Sequence, residues 1–469
     1  MPAILPPPDA FDAHTDVLVV GAGAAGLSAA LAARDSGAEV LVLERDATPL
    51  GTTAMSTGLI PAAGTPEQAA AGVDDSPARF TADVLAKTKG QTDAGLVAAL
   101  AQESAETIAW LRDRHGVPLS LVEGFLYPGH SARRMFGTPN RTGAELMGAL
   151  EAAAHAAGAD ILTEALAEDL FVDAAGAVRG VALTRPDGAR ETIGCDALIL
   201  ACCGFAGNRA LVERYIPEMA AGVFHGHPGN RGHALAWGEA LGAGLADLAG
   251  YQGHGGLAAG HGVPILWPLI MEGGFQVNAQ GRRFSNEAQG YSEQAALVLA
   301  QPGAVAWSIF DQRLHDLMLQ FDDFHDALRA GAVVRADTLE ALAAATGLPA
   351  GPLGETAAAV AASVAGAPDA FGRDFTGKPP LNPPYFAARV TGALFHTQGG
   401  LVVDAQARVQ RAEGGAFPNL FAAGGAARGV SGPTAAGYLA GNGLWTATTL
   451  GKLAGRAAAG LRTTGEKAA

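Results

Sequence analysis

The sequence predicts an α/β fold in which a parallel sheet is assembled from both ends of the chain and split by an inserted α+β domain. An apolar run, Asp16–Val20, leads through a glycine-rich turn and an Ala-rich helix to a second run ending at Leu43. Far downstream, Ala197–Ala201 is continuously apolar, as a strand buried on both faces must be, and strand character returns at Gly400–Asp404 and Leu420–Ala423. Between about 251 and 388 the texture changes to Gly-, His- and Trp-containing loops and Ala-rich helices. The expected division is therefore 1–248 and 391–469 as two parts of one domain, with 249–390 as a domain that covers a substrate.

The elements follow in order. Met1–His14, with Pro6, Pro7 and Pro8, lacks a charged-then-apolar signal pattern and reads as a lead-in. Leu27–Ser36 is a helix closed by Gly37, and Glu39–Leu43 is a strand that delivers Glu44. From about 76 to 114 apolar and charged residues alternate at helical spacing, which predicts surface helices. Ile161–Ile193 is strand-rich, with turns at Asp173–Gly176 and Pro186–Gly188. Helices are expected at about 292–301 and 338–364, and a last one from about Asn442 to Ala459.

Composition narrows the function. A chain of 469 residues holds two or three domains with buried cores. A net charge of −15 without a basic run argues against a nucleic-acid partner. No stretch reaches the ~18 uncharged apolar residues of a membrane span. Cys195, Cys202 and Cys203 all lie in one apolar stretch and read as buried small hydrophobes. An odd number of thiols suits a reducing, cytoplasmic setting. His225, His227 and His233 lack a carboxylate or Cys to complete a metal set and are expected to be structural.

The opening turn carries the first chemistry. In Gly21-Ala-Gly-Ala-Ala-Gly26, Gly21 permits the tight turn and Gly23 lets backbone approach a pyrophosphate. Gly26 lets the helix pack on the strand. The helix N-terminus, at Ala24 and Ala25, offers free N–H groups and partial positive charge to phosphate. Glu44 lies where a carboxylate accepts from ribose hydroxyls, with Arg45 beside it. The unit is a Rossmann-like dinucleotide site.

Further motifs occur in one order: Gly51-Thr-Thr-Ala-Met-Ser-Thr-Gly58, Ala201-Cys-Cys-Gly-Phe205, Gly281-Arg-Arg-Phe-Ser-Asn-Glu287 and His396-Thr-Gln-Gly-Gly400. Asn419-Leu-Phe-Ala-Ala-Gly424 and Gly437-Tyr-Leu-Ala-Gly-Asn-Gly-Leu444 complete the set. Together they resemble the fumarate reductase/succinate dehydrogenase flavoprotein superfamily, which includes the 3-ketosteroid dehydrogenases. The resemblance implies FAD as cofactor and a cap that closes over its flavin. It places Thr52, Thr53, Ser56 and Gly58 along the pyrophosphate and flavin, and Ala201, Cys202 and Gly204 on the adenosine side. Gly424, Asn442, Gly443 and Leu444 match the segment whose helix N-terminus faces the flavin's pyrimidine end. The segment just before Ala54 has no His where some members of the superfamily attach flavin covalently, so non-covalent FAD is expected. Gly425 stands where an acid or Asn is frequent, and Asn230-Arg231-Gly232 replaces a Gly-Asp-Gly pattern.

Members of this superfamily move a hydride at flavin N5 and a proton at the neighbouring carbon, which requires an acid/base and a donor to the carbonyl. At the two positions where the resemblance places fumarate reductase arginines, this chain has Tyr291 and Tyr438. The loss of both guanidinium groups removes bidentate carboxylate recognition, and the tyrosines are similar to those of ketosteroid dehydrogenases. One phenol is expected to exchange the α-proton and the other to donate to a ketone oxygen. His254 and His396 match substrate-binding histidines of the fumarate reductases, and Tyr127 is similar to a third ketosteroid-enzyme tyrosine. No haem or iron–sulfur cysteine pattern and no second nucleotide motif is present, so electrons are expected to pass to or from an external partner. The leading expectation is desaturation of a cyclic ketone, a steroid or a smaller ring. The second is a fumarate- or enoate-type reductase, with Arg133, Arg134 or Arg428 as an alternative carboxylate clamp. The third is a flavin-binding electron-transfer subunit that does no chemistry itself.

Overall fold

The computed structural model describes residues 2–124 and 126–461. β1 (Ala13–Val20), helix α1 (Ala24–Asp35) and β2 (Val40–Leu43) form the opening unit. β1 and β2 pair in parallel, Val17 opposite Val40 and Val20 opposite Leu43. Val17–Val20 are buried because layers cover both faces of such a sheet. β3 (Asp160–Leu162) continues it in parallel beyond β2. β4 (Leu166–Val172) and β5 (Val178–Thr184) form an antiparallel ribbon turned at Gly176, whose φ of +78° favours glycine. β6 (Arg190–Leu200) serves two neighbours. Its first half pairs antiparallel with β5, and its apolar second half sets Ala197–Leu200 in parallel against Val17–Val20.

The cap is an antiparallel sheet. β7 (Tyr251–Ala258) comes first, then β8 (Phe275–Val277) and helix α2 (Tyr291–Leu299). β9 (Val305–Asp311), α3 (Asp322–Arg329) and β10 (Val333–Ala336) follow. The helix expected over 338–364 is two helices, α4 (Leu339–Thr346) and α5 (Ala350–Val364). Gly347, left-handed at φ +75°, closes the first and Pro349 caps the second, so periodicity alone ran across a break. β11 (Tyr385–Thr397) is the cap's central strand, pairing with β7, β9 and β10, and it runs past the boundary expected at 390. Val223–Phe224 adds to it in parallel. The ends of β7 and β11 and the start of α2 meet where the cap faces the nucleotide sheet.

The chain then returns. β12 (Ala416–Ala422) pairs in parallel with β6, Leu198 opposite Leu420, and completes the nine-stranded sheet. Helix α6 (Asn442–Ala459) lies on α1. A Cβ on Gly451 would stand 2.3 Å from Ala25 O, and one on Gly455 2.1 Å from Ala29 O. Glycines four apart thus let the two backbones touch. No helix among the described residues is long and apolar enough to cross a membrane.

Candidate active site

Two helix N-termini open into one continuous cleft between sheet and cap. α1 is entered through Gly23 and α6 through Gly441 at φ +81°, and neither N-cap glycine has a side chain to cap the first turn. The uncapped N–H groups and both dipoles face a shared space, an arrangement that favours anionic groups. Gly21, Gly23, Ala24, Ala25, Glu44 and Arg45 line one end. A Cβ on Gly21 would stand 2.6 Å from Ala201 O, so the turn needs glycine to pass that strand end. Glu44 is buried and anchored, its carboxylate accepting from Ala22 N–H at 3.1 Å and Asp46 N–H at 3.0 Å.

Thr52, Thr53, Ser56, Ala201 and Cys202 line the middle, and Gly424, Gly443 and Leu444 face them. Thr53 Oγ1 accepts from Ala24 N–H at 3.3 Å, tying this loop to the helix N-terminus. Asn230 Nδ2 donates to Thr52 Oγ1 at 2.8 Å, so the Asn-Arg-Gly departure supplies an amide that holds the same loop. The glycine at 425 also has a cause: a Cβ there would lie 2.8 Å from Gly204 N and 3.1 Å from Cys203 Sγ. Burial pushes the thiols of Cys195 and Cys202 up to about 12 and raises that of Cys203, so all three stay protonated. Glycine turns that admit no Cβ, uncapped helix ends and a polar middle fit an extended dinucleotide cofactor.

Gly26, Gly58, Gly204 and Asn442 do not line the cleft. Gly26 and Gly58 serve close packing: a Cβ would meet Gly21 O at 1.8 Å and Thr142 O at 2.7 Å, respectively. One on Gly204 would meet Thr397 Oγ1 at 1.9 Å. The Asn442 side chain is fully buried and donates to Ser431 Oγ at 3.1 Å. His225, His227 and His233, expected as structural, all line the cleft, and no metal-binding cluster occurs among the described residues. His227 is held by Asp46 at 2.8 Å.

The other end gathers Tyr127, His254, Tyr291, His396 and Tyr438 among Leu266, Trp267 and Phe395. Tyr291 starts α2, and its ring lies edge-on to Tyr438 with centroids 6.0 Å apart. Burial raises both phenols, and the nearness of each to the other raises Tyr291 further while slightly lowering Tyr438. Backbone N–H groups of Gly443 and Gly441 also lower Tyr438. Burial outweighs these effects, and all three tyrosines sit above the ordinary phenol value.

The two histidines are neutral near pH 7. Burial pushes His254 down to about 3 and His396 down to about 4. His254 Nδ1 accepts from Gly256 N–H at 3.1 Å, which leaves its proton on Nε2. Its ring stacks on Phe395, centroids 5.2 Å apart, and stands 5.2 Å from the Tyr291 ring. A Cβ on Gly443 would lie 2.9 Å from His396 Nε2, so this ring rests against the first turn of α6.

Charge at this end is sparse. Among the described lining residues Arg45 is the one Lys or Arg, and it stands beside Glu44 at the nucleotide end. Arg133, Arg134 and Arg428 do not line the cleft. Arg134 is buried and committed, bidentate to Asp75 at 2.9 and 3.0 Å and bonded to Asp83 at 2.6 Å. Arg428 bonds Asp247 at 2.6 Å. Sequence reasoning overlooked Asp323, on α3, whose carboxyl faces the tyrosine end and is pushed up to about 6 by burial and by Asp326 and Asp322. It also overlooked Gln398, one residue beyond β11. The periodicity of α3 gives no sign of which turn meets a cleft.

A family model described as FAD binding domain matches residues 16–444. A fumarate reductase (cytochrome) of Shewanella frigidimarina is 30% identical over 95% of this chain and 77% of its own length. A 4-oxocyclohexanecarboxylate 2-dehydrogenase of Sinomonas cyclohexanicum is 26% identical over 95% of this chain and 93% of its own. The crystal structure of 3-ketosteroid-delta4-(5alpha)-dehydrogenase from Rhodococcus jostii RHA1, in complex with 4-androstene-3,17-dione, superposes with a TM-score of 0.75 at 25% identity. It covers 96% of this chain and 98% of its own.

Proposed function

The chain belongs to the FAD binding domain family as an FAD-dependent oxidoreductase of the fumarate reductase group, and from that premise we propose that it desaturates a cyclic ketone at the carbon–carbon bond next to its carbonyl. The substrate class is a neutral 3-ketosteroid or smaller alicyclic ketone. The observation that carries this is the pair Tyr291 and Tyr438, rings edge-on with centroids 6.0 Å apart, in an end of the cleft lined by no Lys or Arg. A dicarboxylate would bury its charge there unpaired and beside Asp323, at a cost of several kcal/mol.

Bound FAD supplies the hydride acceptor at N5. In this reading Tyr438, which lies beside Tyr291 and the backbone of Gly441 and Gly443, donates its proton to the ketone oxygen. Tyr291 offers a lone pair to the α-proton. In the proposed relay the α-proton passes to Tyr291 Oη, the Tyr291 proton to Tyr438 Oη and the Tyr438 proton to the carbonyl oxygen, giving the enol; as the hydride is lost from the β-carbon, the carbonyl re-forms and its proton leaves by way of Tyr438 to solvent. Neither phenol carries lasting charge in this relay, so burial that disfavours phenolate does not oppose it. His254 and His396 add neutral donors, and the apolar walls of Leu266, Trp267 and Phe395 exclude water from the reacting carbons.

Electrons leave to an external acceptor. FAD is held without a covalent bond, and the three free cysteines suit a reducing compartment such as the cytoplasm. Reduction of an enoate is the second reading, favoured by the two neutral histidines in the cleft. An anaerobic screen separates them. Bleaching of the flavin by saturated cyclic ketones is the expected result. Reoxidation of reduced flavin by fumarate or other enoates, with no bleaching by ketones, would replace the first reading with the second.

A further inference from the structure

His396 heads a buried chain of side chains to which the relay above assigns no task. Its Nδ1 lies 3.1 Å from Gln398 Nε2. Gln398 Oε1 accepts from the Ser431 hydroxyl at 2.7 Å, and Ser431 Oγ accepts from Asn442 Nδ2 at 3.1 Å. Gln398, Ser431 and Asn442 are 4%, 1% and 0% exposed, so water does not compete for these bonds. Asn442 Oδ1 has no partner, so Nδ2 alone ties that amide to the chain.

The chain has a direction. Ser431 has a single O–H, and donating it to Gln398 Oε1 turns the Gln398 N–H₂ toward His396. An amide donor facing Nδ1 requires a lone pair there, which puts the imidazole proton on Nε2. The Thr397 carbonyl, 3.3 Å from Nδ1, pulls toward the other tautomer. The Gln398 contact is shorter and its amide is anchored at the far end, so it prevails. Nε2 is the nitrogen beside Gly443, and the Tyr438 hydroxyl lies 3.7 Å from the point where a Gly443 Cβ would be.

We propose that Gln398 is a positioning residue, backed by Ser431 and Asn442, that holds His396 as the neutral Nε2–H tautomer and so aims a second donor, beside Tyr438, at the substrate carbonyl. The catalytic part rests on the ketone reading, whereas the tautomer itself needs no substrate. A donor lost from such a site costs on the order of 10²–10³ in kcat.

The test is the ¹⁵N spectrum of the holoenzyme labelled at histidine, with His396 assigned by its loss in His396→Gln. The expected spectrum shows Nδ1 unprotonated and Nε2 protonated near pH 7. In Gln398→Glu a carboxylate accepts from Nδ1–H, so the tautomer reverses. There kcat falls by on the order of 10²–10³ with a smaller change in KM and with flavin content retained. Gln398→Met, of similar shape without a polar tip, gives a mixture of tautomers. A protonated Nδ1 in the wild type, or a Gln398→Glu spectrum unchanged at His396, overturns the proposal. If the tautomers follow expectation while no ketone bleaches the flavin, the positioning stands and the ketone reading falls.

Discussion

At the scale of single residues, substitution decides the chemistry assigned to the two phenols. Tyr438→Phe removes the carbonyl donor but keeps the ring, so kcat is expected to fall by on the order of 10²–10³ while FAD binding persists. Steady-state kinetics beside a flavin absorbance spectrum check it, and near-normal turnover would refute it. The pair could be picked out in the sequence because Tyr291 follows Phe284-Ser-Asn-Glu287 and Tyr438 lies in Gly437-Tyr-Leu-Ala-Gly441. Their surroundings could not. That the Tyr438 hydroxyl lies 3.7 Å from the point where a Gly443 Cβ would be, at the start of α6, is a matter of backbone path. Asn442 shows the reverse failure. Its place in a matching motif assigned it to the cofactor, yet its side chain points into the protein toward Ser431.

At the scale of elements, the site depends on two contacts that hold its walls. The start of α6 lies at the tyrosine end of the cleft because Gly451 and Gly455 let α6 sit on α1. Gly455→Leu must push the helices apart, and a loss of about 1–3 kcal/mol of stability is expected from overpacking. Denaturant melts of the holoenzyme measure it. In the cap, Glu287 is buried and accepts from Arg283 at 2.9 Å, Arg373 at 3.2 Å and Gln276 N–H at 3.1 Å. It pins the loop leading to Tyr291 onto the cap sheet. Glu287→Ala leaves guanidinium charge buried without its carboxylate, and about 3–5 kcal/mol should be lost; an unchanged melting midpoint would contradict this. The opening strands were readable because both faces of a parallel strand demand an unbroken apolar run. The break between α4 and α5 was also written in the sequence, as Gly347 and Pro349, but Ala-rich periodicity followed alone runs across it.

At the scale of the whole molecule, buried histidines set the response to acid. Burial pushes His130 and His254 down to about 3 and His396 to about 4. All three are neutral in both folded and unfolded chains above the ordinary imidazole value of about 6.5. Below it the unfolded chain takes up protons that the folded one refuses, so stability declines as pH falls toward those lowered values. Asp323, raised to about 6, acts oppositely, since the folded form keeps a proton there that the unfolded form has lost. Three groups outweigh one. Tm should therefore fall between about pH 7 and 5.5, above the ordinary carboxylate range of about 4, and a rising Tm over that interval would reverse the sign. Acid precipitation should release the flavin into the supernatant, whereas yellow colour held in the pellet would mean a covalent bond. The central claim, that paired phenols act on a ketone over the flavin, is tested most directly by rapid anaerobic mixing of the oxidised enzyme with a saturated cyclic ketone. Wild-type flavin should bleach, while Tyr291→Phe and Tyr438→Phe, each with FAD bound, should stay yellow on the same timescale. Equal bleaching in all three would contradict the account.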